Sequence, residues 1–114
     1  MKTQIGSNIF ITKFAYPVIE RTLANGKEIK QRESVCYIKH SKSDTESDII
    51  VQESVKTDSR EQFTRAIGRN LAFKKTLNKL FADKNLREQF GLTNVEFAQF
   101  VGDYHDQCPS SALV

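Results

Sequence analysis

The chain has 114 residues, of which 39% are hydrophobic and 27% charged, with two cysteines, no tryptophan and a formal net charge of +3. That length gives one domain whose single core needs no metal or disulfide staple, and the composition excludes disordered, collagen-like and coiled-coil classes. No stretch approaches the roughly 18 apolar residues of a membrane span, and Ile9-Phe10-Ile11-Thr12 is far shorter than a secretory signal core, so a cytoplasmic protein is expected, in its own cell or in a host cell.

The first half reads as strands. Ile5 to Phe14 is rich in β-branched and aromatic residues and reads as a partly buried strand. Pro17 interrupts it, so Val18-Ile19 starts an edge strand or belongs to the connection. Asn25-Gly26 is a hairpin signal, read as a type I′ turn that needs positive φ at both central residues. Its flanks are residues 19–23 and 29–40, and Val35, Cys36, Tyr37 and Ile38 mark the buried end of the second. The polar run Ser41 to Asp48 reads as a wide solvated turn, and Ile49-Ile50-Val51 with Val55 as the next strand.

At residue 58 the period changes from two to 3.6. Asp58-Ser59-Arg60-Glu61 fits an N-cap with an acidic N3 residue. Phe63, Ile67, Leu71, Leu77 and Phe81 then recur at helical spacing and, with Ala66, Phe73 and Leu80, fall within an arc of about 180°, predicting an amphipathic helix of about 23 residues with that face on the sheet. A break near Asp83 leads to a short turn or helix through Leu86 and Phe90, stopped by Gly91. Thr93-Asn94-Val95-Glu96 is a capping box opening a second, shorter helix from about 94 to 104. Residues 106–114 read as a polar, acidic, frayed tail beyond a single domain of residues 1–105. The fold class is α+β: a three- or four-stranded antiparallel sheet packed by one long helix, plus a short C-terminal helix.

Charge is segregated along the chain. Residues 59–92 carry eight Lys/Arg against three Asp/Glu, whereas residues 93–114 carry no base and three acids. On a helical wheel Arg65, Arg69, Lys75 and Lys79 lie opposite the apolar arc, with Ala72 between them and Gly68 nearby. Such a ridge suits a phosphate backbone, which small residues let approach closely, and equally suits an acidic protein surface. The plainer reading is an ordinary solvated helix face, although such faces usually mix signs.

Catalytic and metal readings find little support. Cys36 and His40 share a strand face but lie about 13 Å apart, too far to share a metal. His105 and Cys108, beside Asp103 and Asp106, lack further ligands in a helix end. Cys36, between Val35 and Tyr37, reads as a small buried hydrophobe. Without a secretory signal, Cys36 and Cys108 read as two free thiols, with a disulfide as the alternative. Glu20, Glu28, Glu33 and Glu53 lie among strand lysines and glutamines, as on a solvated sheet face. Phe10, Phe14, Tyr16 and Tyr37 could stack bases, but most of the eight Phe belong to the core. No metal, cofactor or catalytic group is assigned.

The segment Asp58 to Ala72, with Phe63-x-Arg65-x-x-Gly68-Arg69-x-x-Ala72 at its centre, resembles a helix start found in many small phage and prophage proteins. The resemblance implies a phage or mobile-element accessory factor that binds and blocks host machinery, including nucleic-acid-handling defence complexes. The expected function is therefore non-enzymatic binding. The partner is an acidic, nucleic-acid-associated protein, or nucleic acid directly, met through Arg65, Arg69, Lys75 and Lys79. A small enzyme is the third reading, and a homodimer through a lysine-poor sheet edge stays open.

Overall fold

Gly6 has φ +60°, and among the described residues no non-glycine residue has positive φ. With Ser7 it makes a two-residue turn of the II′ kind, which takes glycine at its first central position. The turn joins β1 (Lys2–Ile5) to β2 (Asn8–Ala15) in an antiparallel pair. The computed structural model describes residues 1–57 and 65–108. The expected N-cap at Asp58, Phe63 and the terminal residues 109–114 lie outside them.

β2 runs into β3 (Val18–Thr22) across Tyr16-Pro17, and both pair with the long β4 (Glu28–Ser41), β2 along 35–40 and β3 along 28–32. The break at Pro17 is narrow: its carbonyl still accepts from the Glu33 amide at 3.1 Å. On the other side β4 pairs with β5 (Ser47–Thr57). The sheet therefore has five antiparallel strands rather than three or four, because Gly6 folds off β1 and Pro17 divides one long strand into two.

The Asn25-Gly26 hairpin is present, but its turn is not type I′. Only Gly26 has positive φ, +82°, and the Gly26 amide donates to the Leu23 carbonyl while the Leu23 amide donates to that of Lys27. This is a three-residue loop with glycine in the left-handed position. The polar run 42–46 closes the β4–β5 hairpin, as expected of a wide turn. A register shift opposite Ile38/Lys39 makes Ile50 an extra residue, which lets three consecutive apolar residues serve one strand. Val51 is buried, Ile50 packs partly against the core, and Ile49 faces the other side.

Among the described residues there are three helices, all on one face of the sheet. They are α1 (Arg65–Ala82), α2 (Lys84–Phe90) and α3 (Asn94–Gln107). Asp83 caps α2 by accepting from the Leu86 amide, and Gly91, at φ +63°, ends it in the left-handed conformation. The Thr93–Glu96 capping box opens α3, which runs to Gln107, past the expected end near 104. Phe10, Cys36, Ile38 and Val51 of the sheet meet Ala72, Phe73, Leu77 and Leu80 of α1 and Phe100 and Tyr104 of α3. Phe10 sits edge-on to Phe90 at 5.2 Å, and Phe73 stacks on Tyr104 at 4.1 Å.

Helix α1 buries Phe73, Leu77 and Leu80 of the expected apolar arc, but not its Ile67 and Leu71 side. Its buried residues are Gly68, Ala72, Phe73, Thr76, Leu77 and Leu80, whereas Ile67 is 52% and Leu71 45% exposed. Taking 100° per residue, the buried arc is turned by about 120° from the expected one. The small stripe Gly68, Ala72 and Thr76 goes to the sheet because a close-packed helix needs short side chains at the contact. Thr76 Oγ1 donates to the Ala72 carbonyl at 2.7 Å and lies 3.2 Å from the Cys36 carbonyl on β4. Large residues then fill the flank towards α3.

Candidate functional site

The rotation of α1 changes the surroundings of the four cations expected to form a ridge. Arg65, Arg69 and Lys79 fall within the arc of the buried residues, with Lys75 at its border. Their heads reach water by running their stems along the flank of the helix. Lys75 and Lys79, one turn apart, reach over β5. Lys75 Nζ donates to the Ser54 carbonyl at 3.2 Å and Lys79 Nζ to that of Gln52 at 3.5 Å. Both also hold Glu53, at 3.6 and 3.2 Å. Among the described residues β5 pairs only with β4, so these ammonium groups satisfy carbonyls on an open sheet edge. The bond from Lys79 holds the Glu53 carboxyl below the usual range.

The arginines are also engaged. Arg69 Nε donates to Tyr104 Oη at 3.2 Å, and the Arg65 guanidinium lies 4.9 Å over the Tyr16 ring. Tyr104 Oη in turn donates to Asn70 Oδ1, a bond that fastens α3 to α1.

The opposite sheet edge is closed in a similar way by α3. Gln107 accepts from the Lys2 amide at 2.9 Å through Oε1 and donates to the Lys2 carbonyl at 3.0 Å through Nε2, while Gln99 Nε2 donates to the Gln4 carbonyl. Strand pairing with a second copy along β1 or β5 would have to displace these side chains.

Cys36 is buried, and burial pushes its thiol up to about 12, so it stays protonated at neutral pH and is no nucleophile. His40 is held by Asn8 at 3.0 Å and packs on Phe90 with ring centroids 4.7 Å apart, which makes it a core histidine. Among the described residues no three His, Cys, Asp or Glu side chains gather as metal ligands. A cleft of about 260 Å³ between α1 and α3 is lined mainly by Phe73, Leu77, Phe97 and Val101, with Lys74 and His105 also lining it.

The sheet face away from the helices has a different character. Alternation in β1, β2, β4 and β5 places Lys2, Lys13, Lys39 and Lys56 there, with Glu33 as the one carboxylate of that face over residues 2–15 and 33–56. The register sets Lys2 beside Ile11, Ile11 beside Lys39, and Lys39 beside Ile49; in the next row Lys13, Tyr37 and Gln52 lie abreast. Ile9, Ile11, Val35 and Tyr37 are half-buried by their neighbours, and among the described residues no element covers them. None of the four lysines forms an ion pair among the described residues.

No family model, curated protein or solved structure matches this chain. Its functional reading therefore rests on the chemistry of these side chains. Of the residues expected to meet a partner, the structure brings Lys75 and Lys79 together on one carboxylate and separates Arg65 and Arg69 onto two aromatic rings. The four lysines of the uncovered face, scattered at positions 2, 13, 39 and 56, become neighbours only through strand register. Their one signal in the sequence is a lysine at a polar position of each strand.

Proposed function

We propose that this protein is a non-enzymatic binding protein that holds nucleic acid against the uncovered face of its sheet. The observation that supports this most is the set of four lysines, none of them ion-paired among the described residues and only Lys56 facing a carboxylate, Glu33, across the register, around a half-buried apolar and aromatic centre. A purely solvating face would alternate charge signs and keep its centre polar. A phosphate backbone laid across the strands would neutralise the lysines and release its counterions, while bases or sugars would cover the centre. The helix cations contribute less in this reading, because each already holds a partner within the fold.

The test is fluorescence-anisotropy binding to labelled DNA and RNA over a range of salt. Four lysine–phosphate contacts give a slope of log Kobs against log salt of about −3 to −4. Lys13→Glu/Lys39→Glu/Lys56→Glu abolishes that binding, whereas Lys75→Gln/Lys79→Gln keeps most of it. Absence of binding to any nucleic acid at low salt contradicts the proposal. It would leave an acidic protein surface as the partner, as for an accessory factor that blocks a nucleic-acid-handling host protein.

A further inference from the structure

Resting on the nucleic-acid reading above, we infer that the ligand is single-stranded, with Tyr37 as the platform on which one base stacks. Tyr37 lies on the central strand of the uncovered face, directly opposite Lys13 of β2 and two residues from Lys39 on β4. Two cations therefore adjoin the half-buried ring, Lys13 across the strand pair and Lys39 along the strand, with Gln52 on the other side, and such a cluster can hold a base by its π-face and an adjoining phosphate by charge. Lys39 Nζ lies over the Tyr37 ring, 5.6 Å from its centroid, so a base stacking on that face has to displace the ammonium. A base taking that place leaves the ammonium for the adjoining phosphate.

The neighbours of Tyr37 favour bases over duplex phosphates. Ile11 and Val35 are half-buried apolar residues beside the ring, and they give a drier surface on which an unstacked base loses little by leaving water. A duplex keeps its base faces stacked inside and would meet this centre with phosphate and sugar. It cannot take the sheet into its groove either. Four strands at about 4.8 Å spacing are roughly 14 Å across their axes, and a major groove about 12 Å wide admits one helix or a two-stranded ribbon.

The test is a competition experiment. Labelled oligo(dT) and oligo(U) of about 15 nucleotides, near the upper end of known single-strand site sizes, are displaced by unlabelled single strand or by a blunt duplex of equal length. Tyr37→Phe and Tyr37→Leu are measured beside the unaltered protein. Both keep the bulk of the side chain, and only the first keeps the ring. The inference expects single strand to compete at least tenfold better than duplex. Tyr37→Phe should bind as the parent does and Tyr37→Leu about tenfold more weakly, the loss of one base–aromatic stack. The oligo(dT) and oligo(U) arms tell whether DNA or RNA is preferred. Equal competition by duplex, or a Tyr37→Leu protein that binds as well as Tyr37→Phe, overturns the inference and leaves the nucleic-acid reading standing. If no nucleic acid binds at all, that reading falls and this inference with it. Photocrosslinking of thymine or uracil to the unaltered protein gives an independent readout: an adduct on Tyr37 supports the platform, and adducts confined to α1 overturn it.

Discussion

Glu53 shows how one side chain decides what a group of cations can do. On the helix face of β5 it draws in both Lys75 and Lys79, while their ammonium groups also take strand carbonyls. The bond from Lys79 is the largest cause of its lowered pKa, followed, among the lowering causes, by the charges of Lys79 and Lys75. A carboxyl whose folded value is depressed adds stability above the ordinary glutamate value of about 4.3 and loses it as pH falls through the folded value. Glu96 behaves alike through its bond to Thr93 in the capping box. Glu53→Gln should therefore unfold at a lower temperature than the unaltered protein near neutral pH, with the gap closing as pH is taken below about 4. A gap that stays constant across that range would show that the carboxylate's charge is not what holds the two lysines. Glu53 reads in the sequence as one more solvated strand glutamate, because its partners come from a helix about twenty residues further along the chain.

Helix α1 carries the clearest difference between pattern and packing. Hydrophobicity ranks Ile67 and Leu71 above Gly68, Ala72 and Thr76, so the predicted apolar face contains the former pair. Packing against β4 and β5 reverses that order, because distance of approach rather than hydrophobicity selects small residues at a close helix–sheet contact. Two substitutions separate the alternatives in chemical or thermal unfolding. Ala72→Leu inserts three carbons at a position with no exposed surface and should cost about 1–3 kcal/mol. Leu71→Lys lies on the solvent side and should change stability by less than about 0.5 kcal/mol. The opposite ranking would restore the face that the hydrophobic pattern predicts. Other elements were legible for local reasons: the Thr93–Glu96 box, the Gly91 stop and the Asn25-Gly26 hairpin each act within a few residues. Gly6-Ser7 carries a hairpin signal of the same local kind, but the short polar strand before it does not read as a strand.

At the scale of the whole molecule, helix side chains close the β1 and β5 edges of the sheet, β3 is a further edge strand paired only with β4 among the described residues, one face is covered by the helices, and no described element covers the other. α3 covers β1 through Gln99 and Gln107, and α1 covers β5 through Lys75 and Lys79, so these edges are no longer templates for another strand. Among the described residues no helix is long and apolar enough to cross a membrane. The α+β class and the order of strands before helices were readable from the switch of period near residue 58. The candidate site was not. Four lysines drawn from four strands become one surface only when the register β1–β2–β4–β5 is known, and register is set by pairing across the whole first half of the chain. A run of cations on one helix is visible in a linear sequence, and a patch assembled across a sheet is not.

Backbone amide NMR during titration with a short oligonucleotide shows whether a nucleic-acid partner sits on the uncovered face of the sheet. Salt-sensitive shifts are expected at residues 9–13, 35–39 and 52–56, with Tyr37 and Lys39 among the largest and α1 from 65 to 79 little changed. Shifts centred on α1, or none up to millimolar oligonucleotide at low salt, would contradict binding on that face.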